Sequence, residues 1–178
     1  MMFAECEARN LRVWLFGGWG IDALQGCITR SHDDIDMLTA NSARTALHAV
    51  LEQLVGAVCD DNTGWWYNWN DIGVNIGFLL THRDGTVVSD VNKDDPCVYP
   101  WPPGSFPEEC NGRLPGLTCR AITWEAQYVC KAGYYKVAPD STLRAKDRAD
   151  LDIIARHISP ERRIKLETCF PGIPREAE

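Results

Sequence analysis

The feature that most constrains the fold of this chain is an apolar run that stops at two glycines. In residues 12–16, an arginine is followed by four apolar residues that are mostly β-branched or aromatic, and Gly17 and Gly18 come next. This pattern predicts a buried strand followed by a tight turn. Residues 19–24 are predicted to form a short helix after this turn. Because glycine lets a ligand approach the backbone and the N–H groups at a helix start attract anions, the turn predicts a site for nucleotide phosphates.

Two carboxylates stand at the start of the next predicted strand. Asp34 and Asp36 occupy alternate positions, and alternate side chains on a strand share a face. Like charges this close are unfavourable unless a cation joins them, and Mg²⁺ is commonly held by one or two carboxylates together with substrate phosphates. Each part alone also fits a plain turn or a solvated surface pair. The order of strand, glycine turn, helix and carboxylate strand favours a metal and nucleotide site.

Together, these two segments resemble a known enzyme family. Residues 17–24 read Gly-Gly-Trp-Gly-Ile-Asp-Ala-Leu, and residues 29–36 read Thr-Arg-Ser-His-Asp-Asp-Ile-Asp. They resemble the small antibiotic nucleotidyltransferases of the lincosamide and aminoglycoside 2''-O type, within the DNA polymerase β-like nucleotidyltransferase superfamily. A weaker likeness continues to residue 158, through segments such as 73–76 and 146–151.

The resemblance implies an α+β fold: a polymerase β-like nucleotidyltransferase core with a mixed sheet flanked by helices, plus a small C-terminal helical part. We expect the core to cover residues 1–121, including a proline-rich loop without regular structure at 92–116, and the C-terminal helices to cover residues 122–178 and pack on the core. Long loops often act as lids or binding loops. Trp101 and Phe106 are therefore expected either to contact an acceptor or to pack the loop onto the core.

The resemblance also implies transfer of a nucleoside monophosphate, normally AMP from ATP, to a hydroxyl of a small molecule, with release of pyrophosphate. It places Gly17 and Gly18 at the phosphates. It makes Asp34 and Asp36 catalytic, as ligands of Mg²⁺. Arg30 would add positive charge at the phosphates, or else would be an exposed loop residue. The implied acceptor is an antibiotic, a lincosamide or an aminoglycoside, so the implied role is antibiotic resistance.

One position departs from the pattern of that family. The family has a third carboxylate on a later strand, as metal ligand or as base for the acceptor hydroxyl, and the matching residue here is Asn75. Residues 65–69 and 73–80 predict an antiparallel hairpin that puts Asn75 on the face of Asp34 and Asp36. An amide cannot accept a proton as a general base. Two hypotheses follow: a Mg²⁺-dependent nucleotidyltransferase, or a nucleotide-binding homologue that is catalytically weakened or inactive.

The tryptophans of that hairpin, at 65, 66 and 69, could stack on a nucleobase. Packing in the core or against the sheet face is the preferred interpretation, because aromatic side chains bury large apolar areas.

Other segments predict the surrounding elements. Apolar residues at helical spacing predict a helix over 41–55, whereas residues 60–62 are typical of a turn. A helix is predicted to begin after Thr123 as its cap, and two more over residues 143–158 and 159–169.

Charge limits the classes of partner. The 178 residues include 18 basic and 25 acidic side chains, for a net charge of −7, which disfavours binding to a nucleic-acid backbone. An acidic pocket would instead attract a cationic small molecule. Transfer to a protein or to a tRNA end is a further alternative, and the acidic balance disfavours the tRNA.

Location and assembly are less constrained. The first residues lack a basic signal-peptide region, and no apolar run approaches the roughly 18 residues of a membrane span. We therefore expect a cytoplasmic protein without a membrane partner. The eight cysteines include no C-x-x-C pair, so no zinc site is predicted. Without a signal peptide they do not predict a disulfide framework. The oligomeric state stays open, with a homodimer among the alternatives.

Overall fold

A mixed β-sheet forms the centre of the protein, in a computed structural model that describes residues 2–55, 59–61, 64–69, 72–89, 97–137, 142–169 and 173–174. The strands within these residues are β1 (Val13–Phe16), β2 (Asp34–Ala40), β3 (Cys59–Asp61), β4 (Gly64–Trp69), β5 (Ile72–Thr81), β6 (Val87–Ser89), β7 (Cys97–Pro100), β8 (Gly112–Leu114), β9 (Leu117–Ala121) and β10 (Ile173–Pro174). The helices are α1 (Met2–Ala8), α2 (Gly17–Gln25), α3 (Arg44–Val55), α4 (Trp124–Val137), α5 (Ala145–Ile154) and α6 (Pro160–Leu166). None of these helices is long and apolar enough to cross a lipid bilayer.

The strand order is β10-β7-β6-β5-β2-β1-β9-β8, with β4 paired to β5 and β3 paired to β4. Strand β2 runs parallel to β5 and antiparallel to β1, and β1 runs parallel to β9. The predicted α+β class with a mixed sheet flanked by helices is therefore confirmed. The short strand β1 feeds directly into α2, which places the start of this helix beside β2 in the middle of the sheet.

Both faces of the sheet are covered. On one face α1 and α3 pack against β5, where Val74, Ile76 and Phe78 are buried as the alternation predicts. Leu79 points to the other face and is also buried, because α4 and the proline-rich segment cover that part of the sheet. The second face is thus apolar at the far end of β5 and carries Asn75 nearer its start.

Two predicted boundaries near the front of the chain are wrong. Helix α2 begins at Gly17 and not at residue 19, because the glycine turn forms the first turn of the helix. Asp60 and Asp61 do not form a turn but belong to β3, where they pair with β4. Asn62 lies outside the described residues. The predicted helix over 41–55 begins with a 3₁₀ turn at Asn41–Ala43 before α3.

The proline-rich segment is not without regular structure in its described part, which starts at residue 97. Strand β7 pairs with β6 and β10, and β8 forms a hairpin with β9. Trp101 and Phe106 pack on the core, with ring centroids 5.4 Å apart. Both contact the buried apolar cluster on the second face of the sheet, which consists of Trp14, Leu38, Leu79, Ile122 and Ala126. The remainder of the predicted loop, residues 92–96, lies outside the described residues.

The C-terminal helices are shorter than predicted. Helix α5 covers Ala145–Ile154 instead of 143–158, and α6 covers Pro160–Leu166 with a 3₁₀ turn after it. Ser159 is the N-cap of α6, since its side chain accepts a hydrogen bond from the backbone N–H of Arg162. The division of the chain at residue 121 stays a prediction.

Candidate functional site

Gly17 joins β1 to α2 and contacts the carboxylate strand. Its φ is +62°, in the left-handed region that only glycine adopts without strain. A side chain at this position would place its Cβ 2.4 Å from Oδ2 of Asp36. Both the backbone conformation and the neighbouring carboxylate therefore require glycine here. The structure brings the glycine turn and Asp36 into direct contact.

Gly18 is packed beneath the loop that follows α2. A Cβ on Gly18 would lie 2.3 Å from Nδ1 of His32 and 2.7 Å from a terminal nitrogen of Arg30. The absence of a side chain at Gly18 is therefore needed to seat this loop against the helix start. It also leaves the backbone N–H groups of the first helical turn uncovered by a side chain of their own.

A buried carboxylate fixes the same loop. Asp22 on α2 is fully buried and accepts hydrogen bonds from the Thr29 backbone N–H at 3.1 Å and the Thr29 hydroxyl at 2.5 Å. Nε2 of His32 lies 2.6 Å from Asp22, and the His32 ring lies against Trp19 with centroids 4.6 Å apart. Sequence reasoning gave Asp22 and His32 no role. Their place inside the two motif segments was the available signal.

Asp34 and Asp36 stand at alternate positions of β2 and face the same side of the sheet. Asp36 is paired in register with Asn75 of β5, and the Asn75 amide donates a 3.0 Å hydrogen bond to Asp36 Oδ1. The prediction that Asn75 lies on the face of the two carboxylates is confirmed. Sequence alone did not reveal the hydrogen bond.

Burial raises the pKa of Asp36 above its ordinary value. The hydrogen bond from Asn75 opposes this by stabilising the carboxylate, whereas the negative charge of Asp34 adds to it. More distant positive charges on Lys131 and Lys146 lower the pKa in turn. Asp36 is thus a partly desolvated carboxylate held between an amide donor, a second carboxylate and two cations.

A chain of ion pairs connects the loop after α2 to the two helices that follow the sheet. Arg30 lies 3.1 Å from Asp150, which lies 2.9 Å from Lys131. Lys131 in turn lies 2.8 Å from Asp147, and Arg144 contacts Asp147 at 2.5 Å. Both aspartates are buried, at 2% and 1% exposed, which makes these pairs far stronger determinants of geometry than surface ion pairs. Arg30 is therefore a partner of α5, and its side chain is only 26% exposed.

Burial by itself would lower the pKa of Lys131, but its hydrogen bonds to Asp147 and Asp150 outweigh this and hold the pKa above its ordinary value. Lys131 is therefore positively charged at neutral pH. Sequence reasoning missed it, because nothing in the pattern of α4 distinguishes it from a surface lysine. The polar residues at 146–150 are evident in the sequence, but their ion pairs with Lys131 are not.

These elements border a half-open cavity of about 160 Å³. Its lining residues come from β1, α2, β2, α4 and α5 and from the residue just before α5: Phe16, Gly17, Asp36, Cys130, Lys131, Arg144 and Asp147. The cavity thus places a helix start, two carboxylates and two cationic side chains around one small volume, and Asp147 pairs with both cations. This combination suits a ligand that carries both negative charge and a divalent cation.

The donors fit a magnesium ion shared with a ligand. Within the described residues, no three or more His, Cys, Asp or Glu side chains cluster closely enough to hold a metal alone. Asp34 and Asp36 offer hard carboxylate oxygens on one face, which is sufficient for Mg²⁺ when phosphates and water complete its coordination.

The sequence and the fold are similar to those of known proteins. Residues 1–154 match the family model described as aminoglycoside-2''-adenylyltransferase. Over 136 residues, 70% of this chain, the sequence is 32% identical to a 2''-aminoglycoside nucleotidyltransferase of Escherichia coli, and the match spans 66% of that relative. The crystal structure of ANT(2'')-Ia in complex with adenylyl-2''-tobramycin gives a TM-score of 0.78 at 26% identity, over 95% of this chain and 92% of that one.

The fold is shared more widely. The lincomycin-bound crystal structure of the lincosamide antibiotic adenylyltransferase LnuA gives a TM-score of 0.65 at 21% identity, over 85% of this chain and 90% of that one. At this identity the similarity concerns the fold alone.

Proposed function

Because the chain belongs to the aminoglycoside-2''-adenylyltransferase family, we propose that it transfers AMP from ATP to the 2''-hydroxyl of an aminoglycoside antibiotic, in a Mg²⁺-dependent reaction that confers resistance. The observation that carries the proposal is the cavity where Gly17, Asp36, Lys131 and Arg144 converge. A glycine turn, a carboxylate that could hold a metal and two cations around one volume would suit a nucleoside triphosphate with its metal.

The triphosphate would lie at the start of α2. The N–H groups of the first helical turn attract anions, and Gly17 and Gly18 present no side chain that would hold phosphates away. Lys131 and Arg144 line the same cavity and add positive charge where negative charge grows on the leaving pyrophosphate. Arg30 acts through Asp150, by fixing the position of Lys131.

Asp34 and Asp36 would hold the metal. When bound, Mg²⁺ supplies positive charge that polarises the α-phosphate and neutralises the pyrophosphate. The hydrogen bond from Asn75 occupies Oδ1 of Asp36 and so fixes the orientation of this carboxylate. Asn75 therefore positions a ligand of the metal instead of acting as a base.

In the transfer itself, the acceptor oxygen forms a bond to the α-phosphorus and the bond from that phosphorus to pyrophosphate breaks. The proton of the hydroxyl goes to water, since the Asn75 amide cannot accept it. Positioning and electrostatic stabilisation remain as the contributions of this chain. We therefore propose turnover that is slow for lack of a general base, which typically contributes about 10²- to 10⁴-fold in rate.

One observation favours an alternative. Asn75 cannot act as a base, and its amide donates a hydrogen bond to the carboxylate that would hold the metal. This arrangement also suits a protein that binds Mg²⁺ and ATP without transfer. Membership of the family favours the enzyme, so the alternative is second.

The two functions are separated by incubating the protein with ATP, Mg²⁺ and tobramycin. The proposal predicts equimolar pyrophosphate and adenylyl-tobramycin, the latter identified by mass spectrometry. Nucleotide binding without either product, over a panel of aminoglycosides, would establish the alternative and refute the enzyme.

A further inference from the structure

An exposed tryptophan continues the row of site residues across the sheet. Phe16, Asp36, Asn75 and Trp66 lie directly opposite one another on β1, β2, β5 and β4. Residues directly opposite in neighbouring strands face the same side, and neighbouring strands lie about 4.8 Å apart. Trp66 therefore stands on the carboxylate face, two strands and about 10 Å from Asp36 along the sheet.

The side chain of Trp66 is exposed, unlike that of its neighbour. It is 44% exposed, whereas the adjacent Trp65, which faces the other side of the sheet, is 5% exposed and packs in the core. The prediction of core or sheet-face packing is correct for Trp65, which lies in the core. Trp66 lies outside the core, with its indole along the sheet face over Gly73. The side chain of Trp69 lies outside the description. A large indole left open beside a charged site presents an apolar face to whatever binds there.

The indole lies on a floor made by glycine. A Cβ on Gly73 would be 3.4 Å from Nε1 of Trp66 and 3.8 Å from Cβ of Asp34. The indole therefore reaches over Gly73 towards the first carboxylate. A large side chain at 73 would meet the indole.

The geometry of the reaction indicates which substrate would meet the indole of Trp66. In phosphoryl transfer the attacking and leaving oxygens lie roughly in line on opposite sides of phosphorus. In the proposed function, Gly17 and Lys131 would hold the pyrophosphate, and Gly17 follows β1, on one side of Asp36. The acceptor would then approach from the β5 and β4 side, where Asn75 and Trp66 lie.

Resting on the proposed function, we propose that Trp66 is an acceptor-binding residue, whose exposed indole face stacks on an aminosugar ring of the antibiotic. An indole binds the apolar face of such a ring and attracts its ammonium groups through cation–π interaction.

The test measures tobramycin binding by titration calorimetry to protein saturated with Mg²⁺ and a nonhydrolysable ATP analogue, so that no turnover is needed. Trp66→Ala should weaken tobramycin binding by about tenfold or more, while Trp66→Phe retains most of it. The affinity for the ATP analogue should stay unchanged. Ile164→Ala is the matched control, since Ile164 is a 69% exposed apolar residue of α6, and it should bind tobramycin as the wild type does.

The outcomes separate the inference from the function on which it rests. Wild-type affinity for tobramycin in Trp66→Ala would overturn the inference even if transfer is observed. Loss of the ATP analogue instead of tobramycin would overturn it as well, by assigning Trp66 to the nucleobase. A wild-type protein that binds tobramycin through Trp66 but never transfers AMP would refute the proposed function and support the inference.

Discussion

Asn75 and an aspartate differ by a single nitrogen in place of an oxygen, yet the difference changes the behaviour of two residues. As an amide, residue 75 donates to Asp36 and stabilises its charge. As a carboxylate it would repel Asp36 and compete with it for protons. The rate of the proposed reaction therefore depends on whether residue 75 is an amide or a carboxylate.

Asn75→Asp should raise the rate of AMP transfer, by about 10²-fold or more, because a carboxylate restores a group that accepts the proton of the acceptor hydroxyl. Without Mg²⁺ the same variant should unfold at a lower temperature than the wild type, since two facing carboxylates replace a donor and an acceptor. Initial rates and thermal melts with and without Mg²⁺ measure both effects. Asn75→Leu, which removes the hydrogen bond without adding a base, should not gain rate. An unchanged rate in Asn75→Asp would show that no base is missing here.

Gly17→Ala and Gly26→Ala form a matched pair. Both residues have positive φ, +62° and +77°, so each substitution should cost about 1–2 kcal/mol of stability. Only at Gly17 does the new Cβ meet Asp36, since nothing lies within 4 Å of a Cβ at Gly26. Gly17→Ala should therefore also weaken Mg²⁺-dependent ATP binding by about tenfold or more, measured by calorimetry. Equal ATP affinity in the two variants would show that the contact with Asp36 is unimportant.

At the scale of elements, the C-terminal helices belong to the site. Asp150 of α5 joins Arg30 of the motif loop to Lys131 of α4, so three distant parts of the sequence meet at one buried carboxylate. The helices therefore hold the cationic side of the cavity in place, in addition to covering the sheet.

Asp150→Asn should destabilise the fold by about 1.5–3 kcal/mol, because its charge-assisted hydrogen bonds are buried. Asp152→Asn, on an exposed position of the same helix, should change stability by no more than about 0.5 kcal/mol. Denaturant unfolding of both variants gives the comparison. If both variants lose equal stability, the interpretation of the ion-pair chain is wrong.

How far sequence predicts these elements depends on the range of their contacts. The strand, the glycine turn and the Asp34 and Asp36 strand are encoded locally, by apolar runs and turn residues, and were predicted. The ion pairs of Lys131 were not, because they join residues that only the folded chain brings together. The strands at 97–100 and 112–114 were missed since prolines interrupt their pattern and pairing partners stabilise them.

On the scale of the whole molecule, the fold buries some cysteine thiols and leaves others exposed to solvent. Cys6 and Cys119 are buried, and burial raises the pKa of each to about 11. Cys27 and Cys110 are exposed. The folded state therefore retains the two buried protons at a pH where the unfolded chain, with an ordinary pKa of 9.0, has begun to lose them. The free energy of unfolding is therefore unaffected by these thiols below pH 9, and it falls as the pH rises towards 11, because the unfolded chain releases their protons first.

Alkylation with iodoacetamide at pH 8, followed by peptide mapping, should modify Cys27 and Cys110 first. Cys6 and Cys119 should react only at the rate of global unfolding, because their thiolate fractions are small and their sulfur atoms are inaccessible. Simultaneous labelling of all four in the native protein would contradict the description of the core.

The central claim is that Gly17 and the Asp34 and Asp36 pair form one site for ATP and its metal. Titration calorimetry of ATP into the wild type and Asp36→Asn, each with Mg²⁺ or with a chelator, tests this most directly. We predict binding by the wild type that requires Mg²⁺, and an affinity reduced by about tenfold or more in Asp36→Asn. Wild-type protein that binds no ATP in the presence of Mg²⁺, or Asp36→Asn protein that binds it equally well, would contradict the claim.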